Sequence, residues 1–371
     1  MKRTFTLRDG WCKLAAVSGG LILAVTAALG CEDDLPKASQ ITHMRVLGAA
    51  TEVVGDPART TPKPGETAQL TWSMVYPDTQ TDDSRLSSLF LVCTTPQQFA
   101  GIPVCQEILE RASAGTSLVD LVKVDGKPQK LPDCKAEPNQ VYKYDLMTAV
   151  CVANTPKLEI AVPKGVKASR LVLGTICRNG TPSLDLTSPT LMSCKAAANV
   201  VASEIESIAV YGTIPIQFDD TDRNENPNVE GLSLTFHNPP IPWLETDADA
   251  AATVSDETCL DLSKTKRVMH SEGHEEEITL RYDASLRELL DGEPEPLEFS
   301  GYTTFGELSR RFTVFRSDAV EPLESTFTWE ISEQQRAELN EKSKRVRFFF
   351  TISDHRGGFS IVKRDLCINR Q

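Results

Sequence analysis

The sequence predicts an all-β protein made of two β-sandwich modules. Short apolar runs alternate with turn residues along most of the chain, and almost no segment keeps a sustained helical period. The length of 371 residues suits two domains, each large enough to bury its own core. Hydrophobic residues make up 40% and charged residues 25%, so the chain has a globular rather than a disordered composition.

In the first half, the turn formed by Pro64 and Gly65 leads into a strand whose alternation places Leu70 and Trp72 on one face. We expect Trp72 in the core rather than as a ligand platform. Residues 96–154 form an insertion too long for a hairpin, with a short helix candidate at 106–112. Strands are predicted at 43–49, 67–76, 88–93, 158–162 and 170–177.

The second half begins near residue 204 and ends in the clearest hairpin of the chain. Gly357 and Gly358 can take the positive φ that a tight turn between the last two strands requires. Ser332 and Gln335 form a capping box that predicts a polar helix at 332–342. Strands are predicted at 205–210, 231–236, 277–282, 297–303, 325–330, 345–352 and 359–368.

The N-terminus has the pattern of a secretory signal. Four basic residues and Asp9 precede an uncharged stretch at 14–30, which is shorter than the roughly 20 apolar residues of a spanning helix. The segment Ala-Ala-Leu-Gly-Cys at 27–31 resembles the lipobox of bacterial lipoproteins. That resemblance implies cleavage before Cys31, acylation of Cys31 and a tether at 31–40. An ordinary cleaved signal and an uncleaved anchor are the alternatives. Several acyl chains hold a domain on a bilayer without a spanning helix.

Processing changes the charge and the cysteine count. Residues 1–30 carry a net charge of +3, so their removal takes the formal charge from −13 to −16. This acidity argues against nucleic acid as a partner. Cys12 leaves with the signal and Cys31 takes the lipid, so eight of ten cysteines remain for disulfides in an exported chain.

If each module forms its own disulfides, Cys259 pairs with Cys367. The six cysteines of the first module allow fifteen connectivities, among which we prefer the sequential one. Those pairs are Cys93 with Cys105, Cys134 with Cys151, and Cys177 with Cys194.

Two further segments carry a resemblance. The segment 62–72 resembles the turn and strand that open bacterial immunoglobulin-like domains. The segment 299–308, Trp329 and the segment 345–358 together resemble a pattern found in uncharacterised lipoproteins of Gram-negative bacteria with large genomes. The resemblance implies two tandem immunoglobulin-like sandwiches, at 41–203 and 204–371, on a lipid tether. It implies no activity.

The densest run of oxygen ligands lies at 219–227. Acidic and amide side chains at alternate positions suit Ca²⁺, although the run lacks the Gly and Glu positions of an EF-hand. The alternative is a turn in which Asp and Asn side chains bond their own backbone. The candidate calcium ligands are Asp220, Asp222, Asn224 and Asn226.

Other polar or aromatic segments have structural interpretations. His270 and His274 are four apart but lack a helical context, so a solvated loop is favoured over a metal pair. The acidic stretches 245–257 and 291–298 are predicted to be solvated loops. The Pro-rich segment 239–244 is predicted to cross over the core with Trp243, rather than to present that side chain to a partner.

No GxSxG elbow, P-loop, GxGxxG or CxxC motif occurs. We therefore expect no enzyme and no cofactor other than the candidate Ca²⁺, although distant residues can still assemble a triad. The expected function is a non-catalytic binding or scaffolding module, anchored by lipid on the periplasmic or outer side of a bacterial membrane. Its partner would be an envelope protein or polysaccharide. The alternatives are an envelope-polymer hydrolase or metal-dependent enzyme, which a pocket gathering carboxylates or His would favour, and a structural spacer.

Overall fold

The first sandwich consists of two antiparallel sheets. A three-stranded sheet has the order β1-β2-β7, and a four-stranded sheet has the order β11-β8-β3-β6. Two further pairs of short antiparallel strands are β4-β5 and β9-β10. The strands are β1 (Arg45–Val53), β2 (Thr67–Val75), β3 (Leu86–Thr94), β4 (Lys123–Val124), β5 (Lys127–Pro128), β6 (Ala149–Ala153), β7 (Lys157–Ala161), β8 (Arg170–Arg178), β9 (Gly180–Leu184), β10 (Met192–Ala196) and β11 (Glu206–Ile214).

The second sandwich pairs two four-stranded antiparallel sheets, β12-β13-β19-β17 and β18-β16-β20-β21. The strands are β12 (Leu232–Phe236), β13 (Glu276–Tyr282), β14 (Leu289–Leu290), β15 (Glu293–Pro294), β16 (Leu297–Thr303), β17 (Glu307–Leu308), β18 (Phe312–Phe315), β19 (Leu323–Glu330), β20 (Lys344–Ser353) and β21 (Phe359–Ile368). The helix α1 (Glu333–Glu338) carries the predicted capping box of Ser332 and Gln335. The 3₁₀ turns are Ala202–Glu204, Asp220–Asp222, Val229–Gly231 and Ala284–Leu286.

This computed structural model confirms the all-β, immunoglobulin-like fold class. All described residues belong to one compact unit, Lys37–Gln371. In this part of the chain, no helix is long and apolar enough to cross a membrane. The described residues are 38–77, 86–94, 123–124, 127–128, 149–166, 168–185, 192–196, 200–236, 243, 276–309, 312–319, 321–339 and 344–368.

Aromatic side chains fill both cores. Trp72 is buried and stacks on Phe90 with ring centroids 4.6 Å apart, so the prediction of a core residue is confirmed. In the second core Trp329 packs edge-on against Phe348. Trp243 also contacts Phe348 edge-on and donates from Nε1 to Leu234 O at 2.8 Å. Trp243 therefore helps to cover the core, as predicted, although Leu244 lies outside the described residues.

The predicted boundary at 203/204 is wrong. The strand expected to open the second module is β11, which pairs with β8 of the first sandwich from Glu206↔Arg178 to Ile214↔Arg170. Ile214 and Ile216 are buried in the first core. The polar 3₁₀ turn Ala202–Glu204 resembles a linker in sequence, but it leads into the last strand of the first sandwich.

The predicted tether is also too long, because residues 38–40 lie on the second sandwich. Thr303 N donates to Ser39 O at 2.9 Å, and Ile41 N donates to Thr303 O at 2.8 Å. The hydroxyl of buried Ser39 accepts from Leu308 N at 2.9 Å. The chain thus contacts the second sandwich before it enters β1 of the first.

An apolar cluster joins the two sandwiches. The ring of Phe359 in β21 lies against Gly48 in β1, and a Cβ added at Gly48 would be 2.1 Å from that ring. Gly48 sits beside a register shift in β1, where its missing side chain allows this close approach. The cluster consists of Ile41, Leu47, Val75, Tyr302, Phe349 and Phe359.

The disulfide Cys177–Cys194 is confirmed, with Cα atoms 5.8 Å apart. Cys93, Cys151 and Cys367 are also disulfide-bonded. Their predicted partners lie outside the described residues, as does Cys31, so those pairings and the lipidation stay predictions. The partners concerned are Cys105, Cys134 and Cys259.

Candidate binding site at the junction

The segment 217–228 links the sandwiches and contains the predicted calcium ligands. Asp219 caps a 3₁₀ turn by accepting from Thr221 N at 2.9 Å and Asp222 N at 3.2 Å, while Asp222 accepts from Asp219 N at 3.3 Å. The hydroxyl and backbone donors of Thr221 hold the pKa of Asp219 below its usual value. These acidic side chains bond their own backbone, which is the turn that the sequence allowed as the alternative.

The two asparagines of the run link the sandwiches instead. Asn224 is fully buried, and its Nδ2 donates to Thr60 Oγ1 at 3.0 Å and to Asp354 Oδ2 at 2.7 Å. Asn226 Nδ2 donates to a backbone carbonyl of the first sandwich, and its Oδ1 accepts from Phe359 N at 3.0 Å. Each asparagine therefore bonds both sandwiches.

The side chains of the four predicted calcium ligands therefore contact different partners and do not converge on one point. The Asp220 carboxylate is fully exposed, and its nearest cation is Lys63 Nζ at 3.8 Å. Across the described ranges, no group of three Asp, Glu, His or Cys side chains is arranged to hold a metal. Calcium binding stays a prediction. His270 and His274 lie outside the described residues.

The tip of the β20–β21 hairpin completes the junction. Gly357 has a positive φ of 110°, as expected, but the second positive φ, 61°, belongs to His355 and not to Gly358. Gly358 is required for another reason, since a Cβ there would lie 2.2 Å from Asp354 Oδ2. Asp354 Oδ1 accepts from Arg356 N at 2.7 Å and Gly358 N at 2.9 Å, which folds the tip around this carboxylate.

Buried carboxyl groups lie behind the tip. Glu295 is 3% exposed, although the sequence placed it in a solvated loop. Burial raises the pKa of Glu295 to about 7, and the nearby charges of Asp354 and Glu288 add to the rise. Burial also raises the pKa of Asp354 and of Glu288. Arg356 Nη1 contacts Glu288 Oε2 at 3.3 Å and thereby offsets part of this negative charge.

A cavity of about 440 Å³ opens where the β1–β2 connection of the first sandwich meets the linker. Its volume is within the roughly 300–1,000 Å³ that ligand clefts span. Every lining side chain is polar or charged. The lining residues are Asp56, Arg59, Lys63, Glu66, Gln217, Asp220 and Arg223.

Arg59 organises the cavity. Its side chain is largely buried and donates from Nη2 to Glu66 Oε1 at 2.8 Å and from Nε to Asp56 Oδ2 at 3.2 Å. Its Nη1 donates to Thr61 O at 3.1 Å and to Gln217 Oε1 at 3.4 Å. The hydrogen bond from Arg59 holds the pKa of Glu66 below its usual value. Glu66 therefore stays ionised and paired.

Gln217 retains an unused donor. The residue is 3% exposed, and its Oε1 accepts from Arg59, but no described residue accepts a hydrogen bond from its Nε2. At the rim, Arg223 Nη2 is paired with Glu225 at 2.5 Å, whereas Lys63 Nζ lies 3.8 Å from Asp220 Oδ1. The cavity thus combines satisfied ion pairs with free donors. The sequence marked Asp220 but not Arg59 or Gln217.

No family model matches the chain, and no curated protein matches it. A solved structure of Escherichia coli alpha-2-macroglobulin activated by porcine elastase is similar at 9% identity and a TM-score of 0.19, with 88% of this chain and 22% of that chain covered. The chain spans about a fifth of the length of that structure. This likeness carries no argument about fold or function.

Proposed function

We propose that this chain is a lipid-anchored cell-envelope protein whose two joined sandwiches act as a non-catalytic binding module. The main observation in support of the proposal is the polar cavity at the junction. Hydrogen bonds from Asn224 to both sandwiches hold the linker that forms one of its walls. A site between two fixed elements is preorganised, which lowers the entropic cost of binding a ligand.

The ion pairs at the cavity favour binding over hydrolysis. A hydrolase that uses paired carboxyls needs one with a raised pKa as the general acid. Among the lining carboxyls, Glu66 has a lowered pKa because Arg59 bonds it, and Asp56 is paired with the same guanidinium. Glu295 has a raised pKa, but it is buried and does not line the cavity.

The lipid anchor rests on the sequence of residues 14–31 alone. Several acyl chains, at about 0.8 kcal/mol for each buried CH₂, would hold the module on a membrane. Radiolabelled palmitate should be incorporated into the wild-type chain and not into Cys31→Ser, which should appear in the soluble fraction. Label retained by Cys31→Ser would contradict the anchor.

Crosslinking in the native envelope tests the binding role. A module with a ligand should give a specific, stoichiometric adduct when a photocrosslinker replaces exposed Arg223 at the cavity rim. A matched crosslinker at Tyr211, which is exposed on β11, should not give that adduct. Identical patterns from both positions, or no adduct from either, would leave a spacer as the better account.

A further inference from the structure

We propose that the cavity at the junction binds a neutral, polyhydroxylated saccharide. This inference rests on the proposed binding function and specifies the class of ligand. It follows from the charge balance of the lining and from its unused hydrogen-bonding groups.

The charges that line the cavity cancel. Three cationic and three anionic side chains surround it, so a charged ligand would meet a repulsive group for each attractive one. A phosphate or carboxylate would also compete with Asp56 and Glu66 for Arg59. A neutral ligand leaves these ion pairs in place. The six side chains are Arg59, Lys63, Arg223, Asp56, Glu66 and Asp220.

The hydrogen-bonding groups left over are both donors and acceptors. Gln217 Nε2 and Lys63 Nζ supply N–H groups, and Asp56 uses only one carboxylate oxygen to bind Arg59. A hydroxyl donates one hydrogen bond and accepts two, so adjacent hydroxyls on a sugar ring satisfy such a mixed set. An apolar ligand would leave these groups desolvated and without partners.

Gln217 lines the cavity although the residue as a whole is 3% exposed. Among the described residues, none accepts a hydrogen bond from its Nε2. A hydroxyl in the cavity can therefore accept from this nitrogen. Among the described residues, no aromatic side chain lines the cavity to stack on a sugar, so the expected affinity is modest, with a Kd of about 1 mM.

Calorimetric titration of the mature chain tests the proposal. The saccharide probes are maltotriose, cellotriose and the trimer of N-acetylglucosamine, and the ionic probes are inorganic phosphate and glycylglycine. We expect at least one saccharide to bind at a single site and more tightly than either ionic probe. Phosphate or glycylglycine binding more tightly would overturn the proposal, and so would failure of all three saccharides up to tens of millimolar.

Two variants locate the site. Gln217→Leu and Lys63→Met should each weaken saccharide binding about tenfold, because each removes a free donor. Lys63 is half exposed, so its replacement tests the site even if the buried variant does not fold. Gln69→Ala on β2 is the matched control, because Gln69 bonds Glu52 and Thr71 and does not line the cavity. Unchanged affinity in Lys63→Met would overturn the assignment.

The saccharide proposal and the proposed function can fail separately. A specific envelope adduct at Arg223, with no saccharide binding, would keep the binding function and reject this ligand class. Saccharide binding that survives both cavity variants would place the site elsewhere on the chain and reject the cavity.

Discussion

Glu295 should make the stability of the protein depend on pH, and replacing it with Gln should remove that dependence. The carboxyl is 3% exposed, and burial raises its pKa from 4.5 to about 7. At about 1.4 kcal/mol for each pKa unit, keeping this group ionised in the folded state costs about 3 kcal/mol.

The direction in which stability changes with pH follows from proton binding to Glu295. The folded chain holds the Glu295 proton more tightly than the unfolded chain does, so this group lowers the free energy of unfolding as pH rises. The loss begins at the unfolded pKa of 4.5 and is complete above the folded pKa of about 7. In Glu295→Gln, an amide oxygen can still accept from Glu288 N, which bonds Glu295 Oε1 at 3.2 Å.

Urea unfolding followed by Trp fluorescence, from about pH 5 to about pH 8, measures the effect. As pH rises over that range, the free energy of unfolding of the variant should increase by about 2 to 3 kcal/mol relative to that of the wild type. Glu293→Gln, an exposed carboxyl two residues before Glu295, should keep the wild-type dependence and serves as the control. Plots of the free energy of unfolding against pH that run parallel for wild type and Glu295→Gln would refute the reasoning.

Two further predictions concern the junction and the disulfide. Gly48→Ala should destabilise the chain by about 1 to 3 kcal/mol in thermal unfolding, because the new methyl group would overlap the Phe359 ring. Gly165→Ala, where no atom lies within 4 Å of an added Cβ, should change stability by less than about 0.5 kcal/mol, and equal effects would contradict the packing. Replacing Cys177 and Cys194 by Ser should cost about 3 kcal/mol in urea unfolding, given their separation of 17 residues, and an unchanged midpoint would contradict this.

Most strands were predictable from sequence because alternation and turn chemistry are local. The predicted segment 170–177 matches β8 (Arg170–Arg178), and the predicted segment 297–303 matches β16 (Leu297–Thr303). Gly65, which the sequence placed in a turn, has a positive φ of 96°. The strand β18 (Phe312–Phe315) was missed because it is short and carries exposed Phe312 on an edge, so it lacks a clear alternation.

The junction was less predictable because it depends on contacts between distant residues. The polar run containing Asn224 was recognised as unusual, but its partners Thr60 and Asp354 are 164 and 130 residues away. Glu295 lies in a segment rich in acidic residues, and composition there indicates solvent exposure. Its charge environment includes Asp354 and Arg356, about 60 residues along the chain, and a single sequence contains no local signal for such a contact.

The central claim is that the two sandwiches are joined in one compact unit. The distribution of distances between them tests this claim most directly. Spin labels carried by unnatural amino acids at Tyr211 in the first sandwich and Leu289 in the second would report it, because both positions are exposed. Labels at Tyr211 and Val54, both in the first sandwich, give the reference width. We predict a single inter-sandwich distance as narrow as that reference. A broad or multimodal distribution would contradict the fixed junction.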